Sequence, residues 1–182
     1  MANHVWTHAN VLSEKEEVHK QLSEWFDIPC TWNEAHIRGT VEPIFGKYDN
    51  YPHEEIGPKW ILVEDVNPDA GETGILFCSA WSFADGYMKK FVEKVVEMDE
   101  DAIVQFKVDG EGDDFLIGGY GSKNGFTYYE EASPDRPWEE QCEEEGLDYE
   151  VEIEKFYDEV IEIQEDMIIT SINDVDKGDS LK

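Results

Sequence analysis

Apolar and polar positions alternate from Val5 to Leu12, with Trp6, His8, Asn10 and Leu12 on one side and Val5, Thr7, Ala9 and Val11 on the other. Period two is the mark of a strand. The period then lengthens: Val18, Leu22, Trp25 and Phe26 recur at helical spacing behind Ser13 and Glu16, whose separation matches a capping box. Ile28-Pro29 ends that helix. Residues 30–58 hold Pro43, Gly46, Pro52, Gly57 and Pro58, so the pattern predicts an insertion without a long helix and with a short strand near Ile37 to Ile44. Two apolar runs at about 60–66 and 73–81, parted by the turn-forming Asn67-Pro68-Asp69-Ala70-Gly71, read as a hairpin.

Residues 77–91, FCSAWSFADGYMKKF, turn at Ser82 to Asp85 from strand into amphipathic helix. Tyr87, Met88, Phe91, Val92, Val95 and Val96 form its buried stripe, Lys89, Lys90, Glu93, Lys94 and Glu97 its outer face, and Trp81 is expected to pack beside the helix start. Ala102 to Val108 alternates as a strand, and Phe115 to Tyr120 pairs with Phe126 to Tyr129 around Ser122-Lys123-Asn124-Gly125. The order β-α-β-β-α-β with extra strands points to an α+β class. Its expected plan is a ferredoxin-like antiparallel sheet over residues 1–130, with two helices on one face.

Beyond Glu130 the composition changes, because residues 130–166 carry 17 acidic side chains against only Arg136 and Lys155. Ile153, Phe156, Tyr157, Val160, Ile161, Met167 and Ile168 keep a helical stripe, so residues 131–172 read as an acidic helix docked on the domain. The alternation Tyr149, Val151, Ile153 leaves a strand start open. Residues 173–182 read as a polar, frayed tail.

Length and composition narrow the class. A chain of 182 residues is one ordinary domain and needs neither disulfide nor metal to fold. Cysteines at 30, 78 and 142 give no metal pair and point to a reducing, cytoplasmic setting. MANHVWTHAN lacks the basic and apolar regions of a secretory signal, and no stretch is apolar enough to span a bilayer.

Several motifs come in a telling order: Asn3 and Asn10 around a Trp-containing strand, then Gly57-Pro58-Lys59-Trp60. Phe77-Cys78-Ser79-Ala80-Trp81-Ser82 enters a helix, and Asp109-Gly110-Glu111-Gly112 is followed by Phe115 and Gly118. Over about residues 1–130 the chain resembles the YubB ferredoxin-like domain proteins, small proteins of bacteriophage genomes, conjugative plasmids and bacteria. It departs from them at His4-Val5-Trp6, where the family has a Trp-Cys pair, and at Phe83-Ala84, where it has prolines. The resemblance implies a fold and a mobile-element origin, hence the host cytoplasm, and no catalytic residue.

Candidate chemistry is sparse. Cys78 or Ser79 at the corner lacks the flanking glycines of a nucleophile elbow, and alternation buries the thiol. The histidines at 4, 8, 19, 36 and 53 make no ligand motif; His4 and His8 on one strand lie about 13 Å apart. Glu111, Asp113 and Asp114 beside Asp109 lack the EF-hand spacing. Gly118-Gly119-Tyr120-Gly121 lacks the Lys-Ser or Lys-Thr of a phosphate loop. Phe126, Tyr128 and Tyr129 suggest an RNA-stacking sheet, yet the charge has the wrong sign for it. No cofactor and no metal is expected.

The charge itself is the outstanding feature, with 44 acidic against 14 basic residues and a formal charge of -30. In duplex DNA, 30 charges occupy roughly 50 Å of axis, close to the span of a globule this size. The sequence is therefore read as a non-enzymatic, phage- or plasmid-encoded DNA mimic. It would bind and inhibit a basic host protein, a defence nuclease or the transcription machinery. The expected binding residues are Glu130, Glu131, Glu139, Glu140, Glu143, Glu144, Glu145, Asp148, Glu150, Glu152, Glu154, Asp158, Glu159 and Glu162. Direct nucleic-acid and membrane contacts are not expected. Two other classes stay open: a small cytosolic enzyme with a site near residues 78–82 and the loop 109–114, or a self-associating structural module, with a homodimer as one form.

Overall fold

The computed structural model describes residues 3–27, 33–110 and 115–177. Strand β1 (His4–Leu12) is followed by helices α1 (Glu16–Trp25), α2 (Glu34–Phe45) and the single turn α3 (His53–Ile56). The hairpin β2 (Ile61–Asp69) and β3 (Glu72–Ala80) leads into α4 (Asp85–Met98). Then come β4 (Ile103–Gly110), β5 (Phe115–Ser122), β6 (Gly125–Ala132), α5 (Glu139–Glu145) and α6 (Tyr149–Lys177). The class is α+β, with one antiparallel sheet of six strands in the order β2-β3-β1-β4-β5-β6. No helix among the described residues is long and apolar enough to cross a membrane.

One sheet face makes the core. Val5, Ala9 and Val11 of β1, Ile75 and Phe77 of β3, and Val104, Phe106 and Val108 of β4 meet Val18 and Leu22 of α1, Val41 and Ile44 of α2, and Tyr87, Phe91 and Val95 of α4. Phe26, Phe77, Tyr87 and Phe91 form a ring cluster with centroids 5.5–6.5 Å apart. Each large side chain so buried contributes about 1.5–3 kcal/mol.

The insertion departs from expectation. A three-turn helix, α2, runs where the prolines and glycines predict a short strand. Asn33 Oδ1 accepts the His36 N–H at 3.0 Å and starts it, and Gly46 at φ 80° stops it. Pro43 stands near its end, with Gly39 four residues earlier at the site a proline ring crowds. Two side chains of α2 satisfy the outer edge of β2: Thr40 Oγ1 accepts the Val63 N–H at 2.9 Å, and His36 Nε2–H donates to the Val63 carbonyl. Ile28-Pro29 and Cys30 lie outside the described residues.

Three local expectations change as well. Helix α1 begins at Glu16 with Lys15 as its cap, so no capping box forms. Ser13 Oγ instead accepts the Lys15 N–H at 3.0 Å and donates to buried Asp99 at 2.6 Å. The hairpin turn contracts to Ala70-Gly71, with Gly71 at φ 81°, and Pro68 sits within β2, which an edge strand tolerates. Trp81 is no packing anchor: it is 63% exposed at φ 71°, and Phe83 takes the core position against Phe106.

Helix α6 covers the opposite sheet face at β4, β5 and β6. Glycines on β5 make room for this. A methyl group on Gly118 would stand 2.5 Å from Gln164 O and Met167 Cβ, one on Gly119 would enter the Phe106 ring, and one on Gly121 would meet Val92 of α4. The polar stretch from Asn173 stays helical through Lys177 because the sheet supplies partners. Asp174 binds the Tyr129 hydroxyl, and Asp176 takes bonds from Tyr120 at 3.0 Å and Ser122 at 3.3 Å. Residues 178–182 lie outside the described residues.

Gly118→Ala is expected to lift α6 from the sheet, lowering the unfolding free energy by about 1–3 kcal/mol in urea titration and exposing residues after Glu131 to protease. Asp99 offers a pH test. Hydrogen bonds from Ser13 and Lys15 hold its carboxyl down at about 2, below the ordinary 3.8. Its contribution is therefore complete above about pH 4 and fades as the pH falls toward 2. Asp99→Asn should cost about 1–3 kcal/mol at neutral pH and flatten that acid limb in melts at graded pH.

Candidate partner-binding surface

After β6 the chain forms a helical arm. Helix α5 ends at Gly146, whose left-handed φ of 72° returns N–H bonds to the last turn. Asp148 then caps α6, its Oδ1 accepting the Glu150 N–H at 3.1 Å. Cys142 and Phe156 are buried in the arm, and the Arg136 guanidinium lies 5.9 Å from the Tyr157 ring centroid while donating to its hydroxyl at 3.3 Å. The 29 residues of α6 extend about 43 Å at 1.5 Å per residue. Its second half is pinned to the sheet. Gln164 donates to Val108 O at 3.1 Å and Asp109 Oδ1 at 2.8 Å, and Glu165 pairs with Lys107 at 3.4 Å. Helix α5 packs against α6 as well.

This arrangement sorts the expected acids. Glu150, Glu154, Asp158 and Glu162 stand four residues apart, and Asp166 continues the series; all five are exposed and none has an ion pair among the described residues. Each step rises about 6 Å, so the carboxylates form a row about 24 Å long that winds across the outer face of α6. Like charges at this spacing cost about 0.2–0.5 kcal/mol per pair. On α5, Glu139 with Glu143 and Glu140 with Glu144 make two shorter rows of the same kind.

Other acids have different surroundings. Glu152 is half-buried and paired with Lys155 at 2.7 Å. Burial first, then Glu152, Glu145 and Asp148, push the Cys142 thiol up from its usual range. Glu159 stands off the row. Glu130 and Glu131 lie on opposite faces of β6, and Glu131 borders a cavity of about 210 Å³ with Tyr129, Ile163, Asp166, Met167 and Thr170. Asp166 thus joins the helix row to the rim of the sheet. It was absent from the residues expected on sequence, although the spacing signal runs one step past Glu162 to reach it.

The remaining candidates separate. Cys78 is fully buried, and Ser79 Oγ donates to Ser82 O at 2.8 Å. His19 and His36 are buried structural groups, His19 held between Thr73 Oγ1 at 2.8 Å and Ser13 O at 2.9 Å. His4 and His8 share the other face of β1. Gly118 to Gly121 belong to β5. Phe126 and Tyr128, expected to be exposed, are half-buried against Phe106 and Phe83, while Tyr129 on the other face is open to solvent. Glu111, Asp113 and Asp114 lie outside the described residues.

If the row is a set of uncompensated like charges, Asp158→Lys turns two repulsive pairs into attractive ones. Thermal unfolding at low salt should show a gain of about 1 kcal/mol that shrinks as salt is added. No protein-family model, curated protein or solved structure matches the chain.

Proposed function

We propose that this chain is a non-enzymatic inhibitor, encoded by a phage or plasmid, that binds a basic nucleic-acid-acting protein of its host in the cytoplasm. The class of target is a defence nuclease or the transcription machinery. The observation that carries the reading is the row Glu150, Glu154, Asp158, Glu162 and Asp166 on one long helix, without an ion pair among the described residues. Regularly spaced carboxylates on a rigid rod imitate the repeating charge of a nucleic-acid strand, whereas acid that only aids solubility needs no order. The polarity of the chain supports it: residues 101–182 hold 25 acidic and 6 basic side chains against 19 and 8 before them. Such a surface speeds encounter with a basic cleft and competes with phosphate there.

For the first 130 residues we propose the ferredoxin-like plan. The sub-sheet order β2-β3-β1-β4, with α1 after β1 and α4 between β3 and β4, supports it. Strands β5 and β6 and the arm are then additions to that domain. Kinship with the YubB family rests on the same segment and on the motifs around Trp60, Cys78 and Asp109.

The test is capture from bacterial extract on the immobilised chain. Basic proteins should be retained, released by moderate salt, and displaced by a DNA duplex of about 15 bp, which matches the charge of the chain. The variant Glu154→Gln/Asp158→Asn/Glu162→Gln should retain roughly tenfold less. Retention indifferent to the duplex, or no protein released by salt, removes the DNA-mimic reading.

A further inference from the structure

The two edges of the sheet are treated differently. On β2 the outward groups of Val63 are bonded by α2, the register shifts between Val63 and Asp65, and Pro68 lacks an N–H. Each device blocks the addition of another strand. Strand β6 has none of them: its pairing with β5 is unbroken from Gly125 to Ala132, and GFTYYEEA contains neither Pro nor Lys. The two-residue turn makes Ser122 and Gly125 the closing pair, so alternation turns the N–H and C=O groups of Phe126, Tyr128, Glu130 and Ala132 outward. Among the described residues no hydrogen bond reaches those backbone groups.

Beside this edge lies the cavity between β6 and α6. Ile163 and Met167 give it an apolar floor, Tyr129 an aromatic wall, and Glu131 and Asp166 two carboxylates at the rim. That combination suits the aliphatic stem and cationic head of a lysine or arginine. On the other face burial first, then the charges of Asp85 and Glu130, push the Tyr128 hydroxyl up, so carboxylates flank the edge on both sides.

We infer that β6 receives an extended, basic segment of the partner protein as a seventh strand, with one Lys or Arg side chain seated between Tyr129, Glu131 and Asp166. Backbone bonds to the outward groups supply affinity and the cavity supplies selectivity, the division of labour in strand-addition complexes. This rests on the reading of the acidic arm as a surface for a basic protein and adds how one segment of that protein is held. A second copy is the wrong occupant by charge. Edge-to-edge pairing would bring Glu130 and Glu131 of both copies into one sheet between bodies that each carry -30.

The probe is a fluorescent eight-residue peptide of alternating valine and arginine, compared with the same peptide fully N-methylated along its backbone, which keeps the charge and loses every N–H. Fluorescence anisotropy should show the unmethylated peptide binding at least about tenfold more tightly. Glu130→Pro, which removes one outward N–H and spares the ladder to β5, should weaken binding about tenfold, against about threefold or less for Glu130→Gln. Asp166→Asn should weaken it by an intermediate factor. Equal binding of the two peptides, no binding, or equal effects of the two Glu130 substitutions overturns the proposal. So does a concentration-dependent dimer in sedimentation that Glu130→Pro abolishes. If Glu130→Pro fails to fold by circular dichroism, the N-methylated peptide still decides. Loss of the peptide arm with DNA-displaceable capture intact leaves the DNA-mimic reading standing; loss of both removes the two together.

Discussion

Strand β5 is pressed from both sides, and the arrangement of the C-terminal half follows from that contact. A sheet normally meets a helix through interlocking side chains, about 10 Å from layer to layer. Here Gly118 brings the sheet backbone against Gln164 and Met167 of α6, while Gly119 and Gly121 on the other face accept the Phe106 ring and Val92. The bare backbone of one strand serves two layers at once. Any side chain at these positions would separate α6 from the sheet or α4 from the core, so the glycine run is a packing device.

From that contact follows the division of α6 into two halves with different work. The half after Ile163 is fixed by Gln164, Glu165, Asp174 and Asp176, each bonded to a strand residue. Fixing one half of a rigid rod also fixes the direction of the other, which carries most of the carboxylate row. Repulsion within the row weakens the helix by tenths of a kcal/mol per pair. The docking contacts outweigh this. Acid of this density is tolerated because the stability of the helix comes from its sheet-bound end.

The insertion between α1 and β2 has a comparable structural role. Helix α2 closes the β2 edge through His36 and Thr40 and anchors α4 through the Thr40 carbonyl, which accepts the Tyr87 hydroxyl at 2.9 Å. On one edge of the sheet the outward groups of Val63 are thereby bonded, whereas among the described residues no hydrogen bond reaches the outward groups of β6, beside the carboxylates of α6. The outer edge of β6 and the acidic face of α6 thus share one rim of the molecule.

Periodicity alone was enough for the strands and for helices α1 and α4, because alternation at Val5 to Leu12 or Ala102 to Val108 records a face that is buried locally. It failed over residues 34–45, where two side-chain bonds to Val63 and packing on Tyr87 hold a helix that proline and glycine argue against. It failed again at Trp81, since a single left-handed φ reverses the direction of a side chain without altering the pattern around it. For the candidate surface, composition identified the acidic segment, and the four-residue spacing from Glu150 to Asp166 was present in the letters. The sequence by itself determined the sign and density of charge and the helical period that aligns it, both being local properties of the chain. Only the tertiary structure decided that this helix lies on β5, that its row ends beside β6, and that among the described residues the outward groups of β6 are unbonded while those of Val63 on β2 are held by α2. Those facts depend on contacts between residues about 20 to 50 positions apart, which no local pattern encodes.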